Sequence, residues 1–472
     1  MQTLEADYLV IGAGAVGMSF VDTLLDESDA SVIMVDNHHQ PGGHWNDAYP
    51  FVRLHQPSHF YGVSSTPLGS GNIDQAGSNA GYFELASGAE VQAYFEQVMR
   101  QRFLPSGRVQ YFPMCEYDGD GRFHKMMSHE RYQVTVAQRV VDSTYFKTSV
   151  PSRHKRSFTV ADDVQCIAPN ALPLMAGEFN HYCVIGAGKT AMDAGVWLMD
   201  HGSEPDAVSW VCPRRSWMIN REVTQGSQLF FKECIGGFAR QMQAIAEAKS
   251  LDDLFERLEA CGFMLRLDPG RKPAMFHYAT ISKGEVAQLQ RITRMIEHGR
   301  VSEIDKQGLL MQDGTRVAMP ERTLYVDCTA SAVDFTSTRS CPVFAPGLIT
   351  IQGVRIPNPC LSAAITAYVE ANYASDDERN RLCQPVLLPD NPQGWLHSTL
   401  GNMLNQATWS GEPALNEWIA HNRLDGFSQV IREADLSDPE NAAILEMLSS
   451  SAMPAVANLQ KLIAAESGPA EQ

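Results

Sequence analysis

Several familiar signals are missing from this 472-residue sequence, and each absence excludes a class of function. The ten cysteines form no CxxC pair and no zinc-type spacing, so we expect reduced, mostly buried thiols. Lys and Arg number 37 against 55 Asp and Glu, and no basic cluster is present, which predicts that nucleic acid is not a partner. The histidines follow no ligand spacing, so no metal site is predicted.

Targeting and membrane signals are also missing. The start, MQTLEADYLVIGAGAVG, has no basic region before its apolar segment and no small-residue cleavage site, and no window reaches the length of a membrane span. We therefore predict a cytoplasmic protein with no membrane partner. The length and the 44% hydrophobic content predict two to four domains with more than one core. The oligomeric state stays open, with a homo-oligomer as one alternative.

A strand, a glycine turn and a helix are predicted at the amino terminus. A β-like run over residues 8–11 precedes Gly12, Gly14 and Gly17, and helical apolar spacing follows. These glycines allow, in turn, a tight turn, close approach of the backbone to a pyrophosphate, and close packing of helix on strand. A second β-like run ends at Asp36, nineteen residues beyond Gly17, where a carboxylate can bind ribose hydroxyls. The pattern predicts a dinucleotide site; the alternative is a glycine-rich turn without a ligand.

A second fingerprint lies in HYCVIGAGKTAMDAGVW, where Gly186, Gly188 and Ala191 again follow a short strand and precede a helix. The next strand ends without an acid and runs into Arg214 and Arg215. Arginines are expected there when the ribose carries a 2′-phosphate, so NADPH is favoured over NADH. The alternative is that both arginines belong to a solvated loop.

The order of these motifs resembles the flavin-containing monooxygenase superfamily, including its Baeyer-Villiger and N-hydroxylating branches. That family has a GxGxxG, an acidic strand end, a GGxW segment and a second GxGxxG/A, which here are residues 12–17, Asp36, 42–45 and 186–191. The FxGxxxHxxxW/Y signature of two branches is absent, because the chain reads FTVADDVQCIAPNALPLMAG from Phe158. The chain is therefore identified as a divergent member.

The resemblance implies an α/β fold with two Rossmann-type dinucleotide-binding domains, one for FAD and one for NADPH. The implied FAD-binding domain has a first part at 1–165 and a second part at 326–390. The implied NADPH-binding domain covers 166–325 and contains a helical insertion at about 226–295, and a helical carboxy-terminal region covers 391–472. Whether the insertion caps the substrate cavity or is only a structural elaboration stays open.

The resemblance also implies which residues contact the cofactors. The expected FAD contacts are Gly12, Ala13, Gly14, Ala15, Val16, Gly17, Asp36, Asn37, Gly43, His44, Trp45, Asp47, His55, Gln56, Ala330 and Pro359. The expected NADPH contacts are Gly186, Ala187, Gly188, Lys189, Thr190, Ala191, Arg214 and Arg215. Many members have an asparagine that hydrogen-bonds the flavin ring near the position of RLHQPS, and this stretch has none. Arg53, His55 and Gln56 are the candidates near the ring, and the catalytic residues stay unknown.

The reaction implied by the resemblance is reduction of FAD by NADPH, followed by reaction with O2 and transfer of one oxygen atom from a C4a-peroxyflavin to a small organic substrate. A flavoprotein dehydrogenase or oxidase without oxygen insertion is the main alternative. A nucleotide-binding regulatory protein without turnover is a third. A disulfide reductase shares both nucleotide folds, but the missing CxxC argues against it.

Overall fold

Runs rich in Val, Ile, Tyr and Leu build two mainly parallel sheets and two smaller sheets in the computed structural model, which describes residues 1–330 and 341–466. The strands are β1 (Gln2–Ile11), β2 (Val32–Val35), β3 (Val109–Phe112), β4 (Cys115–Gly119), β5 (Arg122–Lys125), β6 (Arg131–Asp142), β7 (Thr159–Val160), β8 (Cys166–Ile167), β9 (His181–Ile185), β10 (Val208–Val211), β11 (Ser216–Asn220), β12 (Met264–Leu265), β13 (Met275–Ile281), β14 (Arg294–Ile296), β15 (Val301–Asp305), β16 (Gly308–Met311), β17 (Arg316–Ala318), β18 (Thr323–Asp327), β19 (Phe344–Ala345) and β20 (Leu348–Thr350).

Helices pack against both sheets and make up most of the carboxy-terminal region. They are α1 (Ala15–Glu27), α2 (Gly88–Val98), α3 (Leu172–Met175), α4 (Lys189–Asp200), α5 (Phe231–Glu247), α6 (Leu251–Ala260), α7 (Lys283–Leu289), α8 (Pro359–Asn372), α9 (Asp376–Leu382), α10 (Pro392–Ser410), α11 (Pro413–His421), α12 (Ser428–Arg432) and α13 (Pro439–Glu466).

The first sheet has the order β19-β20-β6-β1-β2-β3, and β4 and β5 extend it from β6. Strand β1 is parallel to β2, with Tyr8 opposite Val32, and parallel to β6 on its other side. The second sheet is parallel throughout, in the order β14-β10-β9-β18-β8. Strand β1 of the first sheet leads through a glycine turn into α1, and strand β9 of the second sheet leads through a glycine turn into α4. The predicted α/β fold class is confirmed.

The insertion and the carboxy-terminal region share one hydrophobic core. Helices α5 and α6 occupy the first part of segment 226–295, and β12, β13, α7 and β14 follow. Ile245 and Phe255 of the insertion pack with Trp395 of α10 and Leu459 of α13, all at most 1% exposed. Because these side chains are buried only together, α10 and α13 are part of the same folded body as the insertion.

Helix α13 is the one described helix that is long and apolar enough to cross a membrane, judged by length and composition alone. Its most apolar window has a mean hydropathy of 1.2 and is 17% buried. The sequence prediction that no window reaches this length is wrong for α13, because alanines, serines and methionines form a long stretch with few charges. One face of α13 packs on α5, where Asn458 Nδ2 donates to the carbonyl of Ile245 at 2.7 Å.

The two parallel sheets meet where helix α4 lies against the loop that follows β2. The hydroxyl of Tyr49 donates to Asp193 Oδ2 at 2.7 Å. Four residues further along α4, Trp197 stacks on Phe51 with ring centroids 5.4 Å apart. Residues four apart lie on one face of a helix, so a single stripe of α4 makes both contacts.

A cluster of four buried charges continues this interface. Lys189 Nζ forms ion pairs with Asp193 and, at 3.1 Å, with Glu285. The guanidinium of Arg221 contacts Glu285 at 2.6 Å and donates to the carbonyl of His55 at 2.9 Å. Desolvation of the Glu285 carboxyl acts in the opposite direction, but Lys189 and Arg221 hold the pKa of Glu285 well below its ordinary value. The cluster therefore joins the loop after β2, helix α4 and helix α7.

Replacing Glu285 by Gln is expected to destabilise the protein by about 3–5 kcal/mol, because Lys189 and Arg221 would lose a buried counter-charge. The amide oxygen can still accept from the backbone N–H of Ser282, so the start of α7 keeps its cap. Urea unfolding followed by tryptophan fluorescence measures the change.

The matched control is Glu222→Gln, which breaks an exposed pair with Lys283 at 2.6 Å and should cost at most about 1 kcal/mol. Equal stability of the Glu285→Gln variant and the wild type would contradict an energetic role for the cluster.

Candidate dinucleotide-binding sites

A cavity of about 770 Å³ opens at the carboxyl ends of β1 and β2, as expected for a ligand site on a parallel sheet. The predicted FAD contacts that line it are Gly12, Gly14, Ala15, Val16, Asp36, Asn37, Gly43, His44, Asp47 and Pro359. The tertiary structure thus brings the glycine turn, the end of β2, the GGHW loop and the start of α8 together around one space.

The glycine turn has the shape of a phosphate cradle. Gly12 has φ 96°, which favours glycine, and a Cβ on Gly17 would lie 2.2 Å from the Gly12 carbonyl oxygen. A Cβ on Gly43 would lie 2.9 Å from Gly14 Cα. No side chain caps the amino terminus of α1, so the backbone N–H groups of its first turn are free to bind an anion. These features fit the pyrophosphate of a dinucleotide.

The acid at the end of β2 is held by hydrogen bonds. Asp36 Oδ2 accepts from the backbone N–H of Ala13 at 2.5 Å, and Oδ1 accepts from the backbone N–H of His38 at 2.7 Å. The His38 ring lies between Asp36, at 2.8 Å, and Asp47, at 3.0 Å. Hydrogen bonding to Asp36, reinforced by Asp47, raises the pKa of His38. An imidazole that sequence reasoning missed therefore lies between two carboxylates beside the predicted ribose site.

The segment after β6 forms a wall of the cavity that no sequence motif indicated. Phe146, Lys147 and Val150 line the space, and Arg153 binds Asp47 at 2.9 Å. Within the described residues Lys147 has no ion pair, so its ammonium group is available at the cavity wall. The basic composition of residues 147–156 was the available signal, but only the fold places this segment opposite the GGHW loop.

Another group of predicted FAD contacts lies outside the cavity wall: Ala13, Gly17, Trp45, His55, Gln56 and Ala330. Ala13 and Gly17 shape the turn itself. Trp45 is buried behind the cavity wall, where its ring stacks on His44 at 5.3 Å.

The three candidates for a flavin-facing group lie elsewhere too. Arg53 is exposed, and its backbone pairs with Ser87 in an isolated bridge. Gln56 is half-buried and is not among the residues that line the cavity. His55 is held at the charge cluster, where desolvation, assisted by the charges of Lys189 and Arg221, lowers its pKa to about 3.

The second fingerprint also leaves an open helix terminus. Gly186 has φ 136°, and a Cβ there would lie 2.7 Å from the Cys328 carbonyl oxygen. Gly188 has nothing within 4 Å of a built Cβ, and no side chain caps α4. Phosphate oxygens can therefore approach the N–H groups at the start of α4. The ammonium group of Lys189, a predicted NADPH contact, is instead held by Asp193 and Glu285.

The two arginines after β10 have different surroundings. Arg215 is largely buried and pairs with Glu297 at 2.7 Å and with Asp268 at 3.1 Å. Arg214 is exposed and has no ion pair within the part of the chain that the structure describes. Among the described residues, Arg214 is thus the one of the two arginines whose guanidinium is not ion-paired.

No protein-family model matches the sequence. Uncharacterized proteins of Mycobacterium tuberculosis and Mycobacterium bovis are each 42% identical to it over 474 aligned residues, which cover 100% of this chain and 87% of theirs. The chain belongs to the same family as these mycobacterial proteins.

Among solved structures, cyclohexanone-bound cyclohexanone monooxygenase in its Rotated conformation covers 95% of this chain and 98% of its own, with 14% identity and a TM-score of 0.51. A flavin-containing monooxygenase from Stenotrophomonas maltophilia covers 79% and 98%, with 14% identity and a TM-score of 0.44. The likeness to cyclohexanone monooxygenase shows the fold. The α/β fold that the resemblance implies is thereby confirmed.

The two glycine turns should respond differently to alanine. Gly17→Ala is expected to lower stability by about 1–3 kcal/mol, because the new Cβ would press α1 away from the Gly12 carbonyl. Gly188→Ala should stay within about 0.5 kcal/mol of the wild type, since the position is open and has φ −87°. Thermal unfolding of both variants measures the difference in stability. An equal loss of stability in the two variants would contradict the expectation.

The buried imidazole of His55 should make stability depend on pH. Its pKa is about 3 in the folded chain against an ordinary value of 6.5, so the unfolded chain binds more protons between these values. Stability is therefore expected to fall as the pH falls below 6.5. In a His55→Gln variant the loss between pH 7.5 and pH 5 should be smaller by up to about 2 kcal/mol.

Urea unfolding at the two pH values measures this difference, and His39→Gln at an exposed histidine is the matched control. A His55→Gln variant that loses as much stability as the wild type would contradict the expectation.

Proposed function

We propose that this protein is a flavin-dependent oxidoreductase that holds FAD, takes its electrons from NADPH, and inserts one oxygen atom of O2 into a small organic substrate. One observation carries the proposal: the loop 43–61 contacts both the first cavity and α4. Gly43, His44 and Asp47 line the first cavity, while Tyr49 and Phe51 contact the helix that begins at the second fingerprint. Hydride transfer needs two cofactors side by side, and a shared wall supports that arrangement.

The sheet order indicates how FAD would lie in the first cavity. Its pyrophosphate fits the turn after β1 and the amino terminus of α1. Asp36 lines the β2 side of the cavity, and β4, which carries Tyr117, starts with a hydrogen bond from the Cys115 N–H to the Asp36 carbonyl, so the adenosine belongs at this end. Ile356 and Pro359 follow β20, on the opposite side of β1, so the flavin ring belongs there. When bound, FAD supplies two-electron acceptance and reactivity with O2.

The second site would hold NADPH through backbone N–H groups and the positive charge of an arginine. The open amino terminus of α4 fits the pyrophosphate, and the exposed Arg214 fits the 2′-phosphate. Lys189 and Arg221 would not bind NADPH directly. Paired with the carboxylates of Asp193 and Glu285, they hold the carbonyl of His55 and the start of α4 in fixed positions. The neutral His55 ring adds no charge at this junction.

Oxygen insertion is favoured over simple oxidation by the fold shared with cyclohexanone monooxygenase. Closed walls around the flavin would protect the reacting centre from water. The segment 143–153 and the residues around Pro359 supply such walls in this chain. The substrate class stays among amines, thioethers and ketones, since loops and the insertion decide it.

The test uses the purified full-length protein loaded with FAD. Under anaerobic conditions NADPH is expected to reduce the flavin at least about tenfold more efficiently than NADH, which corresponds to about 1.4 kcal/mol. Mixing with ¹⁸O₂ and a panel of amines, thioethers and ketones should then give a product with one labelled oxygen, detected by mass spectrometry. Failure of both nucleotides to reduce the flavin would overturn the proposal. Stoichiometric peroxide without labelled product from any substrate would replace it by an oxidase.

Two neighbouring variants separate nucleotide choice from stability. Arg214→Gln should remove the preference for NADPH and leave the reaction with NADH unchanged, because only the added phosphate loses its partner. Arg215→Gln is the matched control: it breaks the pairs with Glu297 and Asp268, so it should lower stability and affect both nucleotides alike.

A further inference from the structure

The hydroxyl group of Tyr61 is buried and donates to no acceptor among the described residues. The indole Nε1–H of Trp45 donates to the Tyr61 oxygen at 2.7 Å. An indole N–H can only donate, so the Tyr61 oxygen is the acceptor and its own O–H needs another partner. Within residues 1–330 and 341–466 that O–H has no acceptor. Tyr61 is 7% exposed, and burial raises its pKa well above the ordinary value, so the proton stays on the oxygen.

Tyr61 lines the cavity assigned to FAD together with Ile356 and Pro359. Ile356 and Pro359 follow β20, on the opposite side of β1 from Asp36. The backbone of Gly62, next to Tyr61, hydrogen-bonds the thiol of Cys360, next to Pro359. The unused donor therefore belongs to the end of the cavity where the proposed function puts the flavin ring. A polar group at a ligand site keeps an unmet hydrogen bond when the ligand supplies the acceptor.

The carboxy-terminal region fixes Tyr61 from behind. Arg423, which lies between α11 and α12, donates to the carbonyl oxygens of Tyr61 at 2.8 Å and of Val63 at 2.5 Å. The next carbonyl, that of Leu424, accepts from Asn358 Nδ2 at 2.8 Å. The Oδ1 atom of Asn358 in turn accepts from the N–H of Leu361 and caps α8. The short segment of Arg423 and Leu424 thus holds both the backbone at Tyr61 and the start of α8 at this end of the cavity.

We propose that the Tyr61 O–H donates a hydrogen bond to the isoalloxazine portion of bound FAD, and that Arg423 is the positioning residue that aims it. The inference rests on the proposed function, because it needs FAD in the first cavity. It assigns to Tyr61 the donor role for which His55 and Gln56 were the sequence candidates. A donor at the ring stabilises the negative charge that develops on reduction, so Tyr61 tunes the flavin potential.

The test compares Tyr61→Phe with Tyr117→Phe, the matched control at the adenosine end of the same cavity. The readouts are the visible spectrum of the bound flavin and its two-electron potential, measured by dye equilibration with a chemical reductant. Tyr61→Phe is expected to shift the spectrum and to disfavour reduction about tenfold, which is about 30 mV for this couple. Tyr117→Phe should leave both unchanged. A wild-type potential and spectrum in FAD-loaded Tyr61→Phe would overturn the proposal.

Two further measurements keep the outcome decisive. Arg423→Lys retains the charge but loses the fork that reaches both carbonyls, so it should shift the potential in the same direction by less. If Tyr61→Phe does not retain FAD, protein made with 3-fluorotyrosine in the Tyr117→Phe background replaces it. The more acidic phenol is a stronger donor and should raise the potential, and an unchanged potential would overturn the inference.

The chemical reductant separates this inference from the proposed function. A shifted potential without NADPH-dependent reduction or labelled product would support Tyr61 as the donor and reject the proposed reaction. Normal turnover with an unchanged potential in Tyr61→Phe would reject only the role of Tyr61. A wild-type protein that binds no FAD would overturn both.

Discussion

The position of helix α4 beside the first cavity depends on a cluster of buried ion pairs. Lys189 and Arg221 each contact Glu285, and each also reaches a second group, Asp193 or the carbonyl of His55. Charges this deep are tolerated only when each has a partner of the opposite sign close by. The arrangement therefore holds α4 and α7 against the loop after β2, which also lines the first cavity.

The composition of PGGHWNDAYPFVRLHQPS has a physical explanation in this arrangement. One group of its side chains, His44 and Asp47, lines the first cavity. A second group, Tyr49 and Phe51, contacts α4 through a hydroxyl and a ring. A polar turn on the surface would need neither the cavity-lining side chains nor those that contact α4. The density of aromatic and polar groups thus reflects a loop with a different neighbour on each side.

The carboxy-terminal region has the corresponding role at the other end of the cavity. It shares a core with the insertion through Trp395 and Leu459, and it holds the segment around Tyr61 through Arg423. Burial and hydrogen bonding thus connect residues far apart in sequence, and neither end of this contact carries a motif. Because no motif marks Tyr61, the sequence candidates for a flavin-facing group were His55 and Gln56. They lie near Tyr61 in the chain but outside the cavity wall.

The sequence by itself determined the features that depend on local backbone geometry: the strand, glycine turn and helix at residues 8–17, the same unit at the second fingerprint, and the α/β fold class. Only the tertiary structure decided that, among the described residues, Arg215 is ion-paired and Arg214 is not, that Lys189 is held by carboxylates, and that the segment after β6 lines the cavity. Turn conformations are set by neighbouring residues, whereas ion pairs and cavity walls join residues that meet only after the sheets and helices pack.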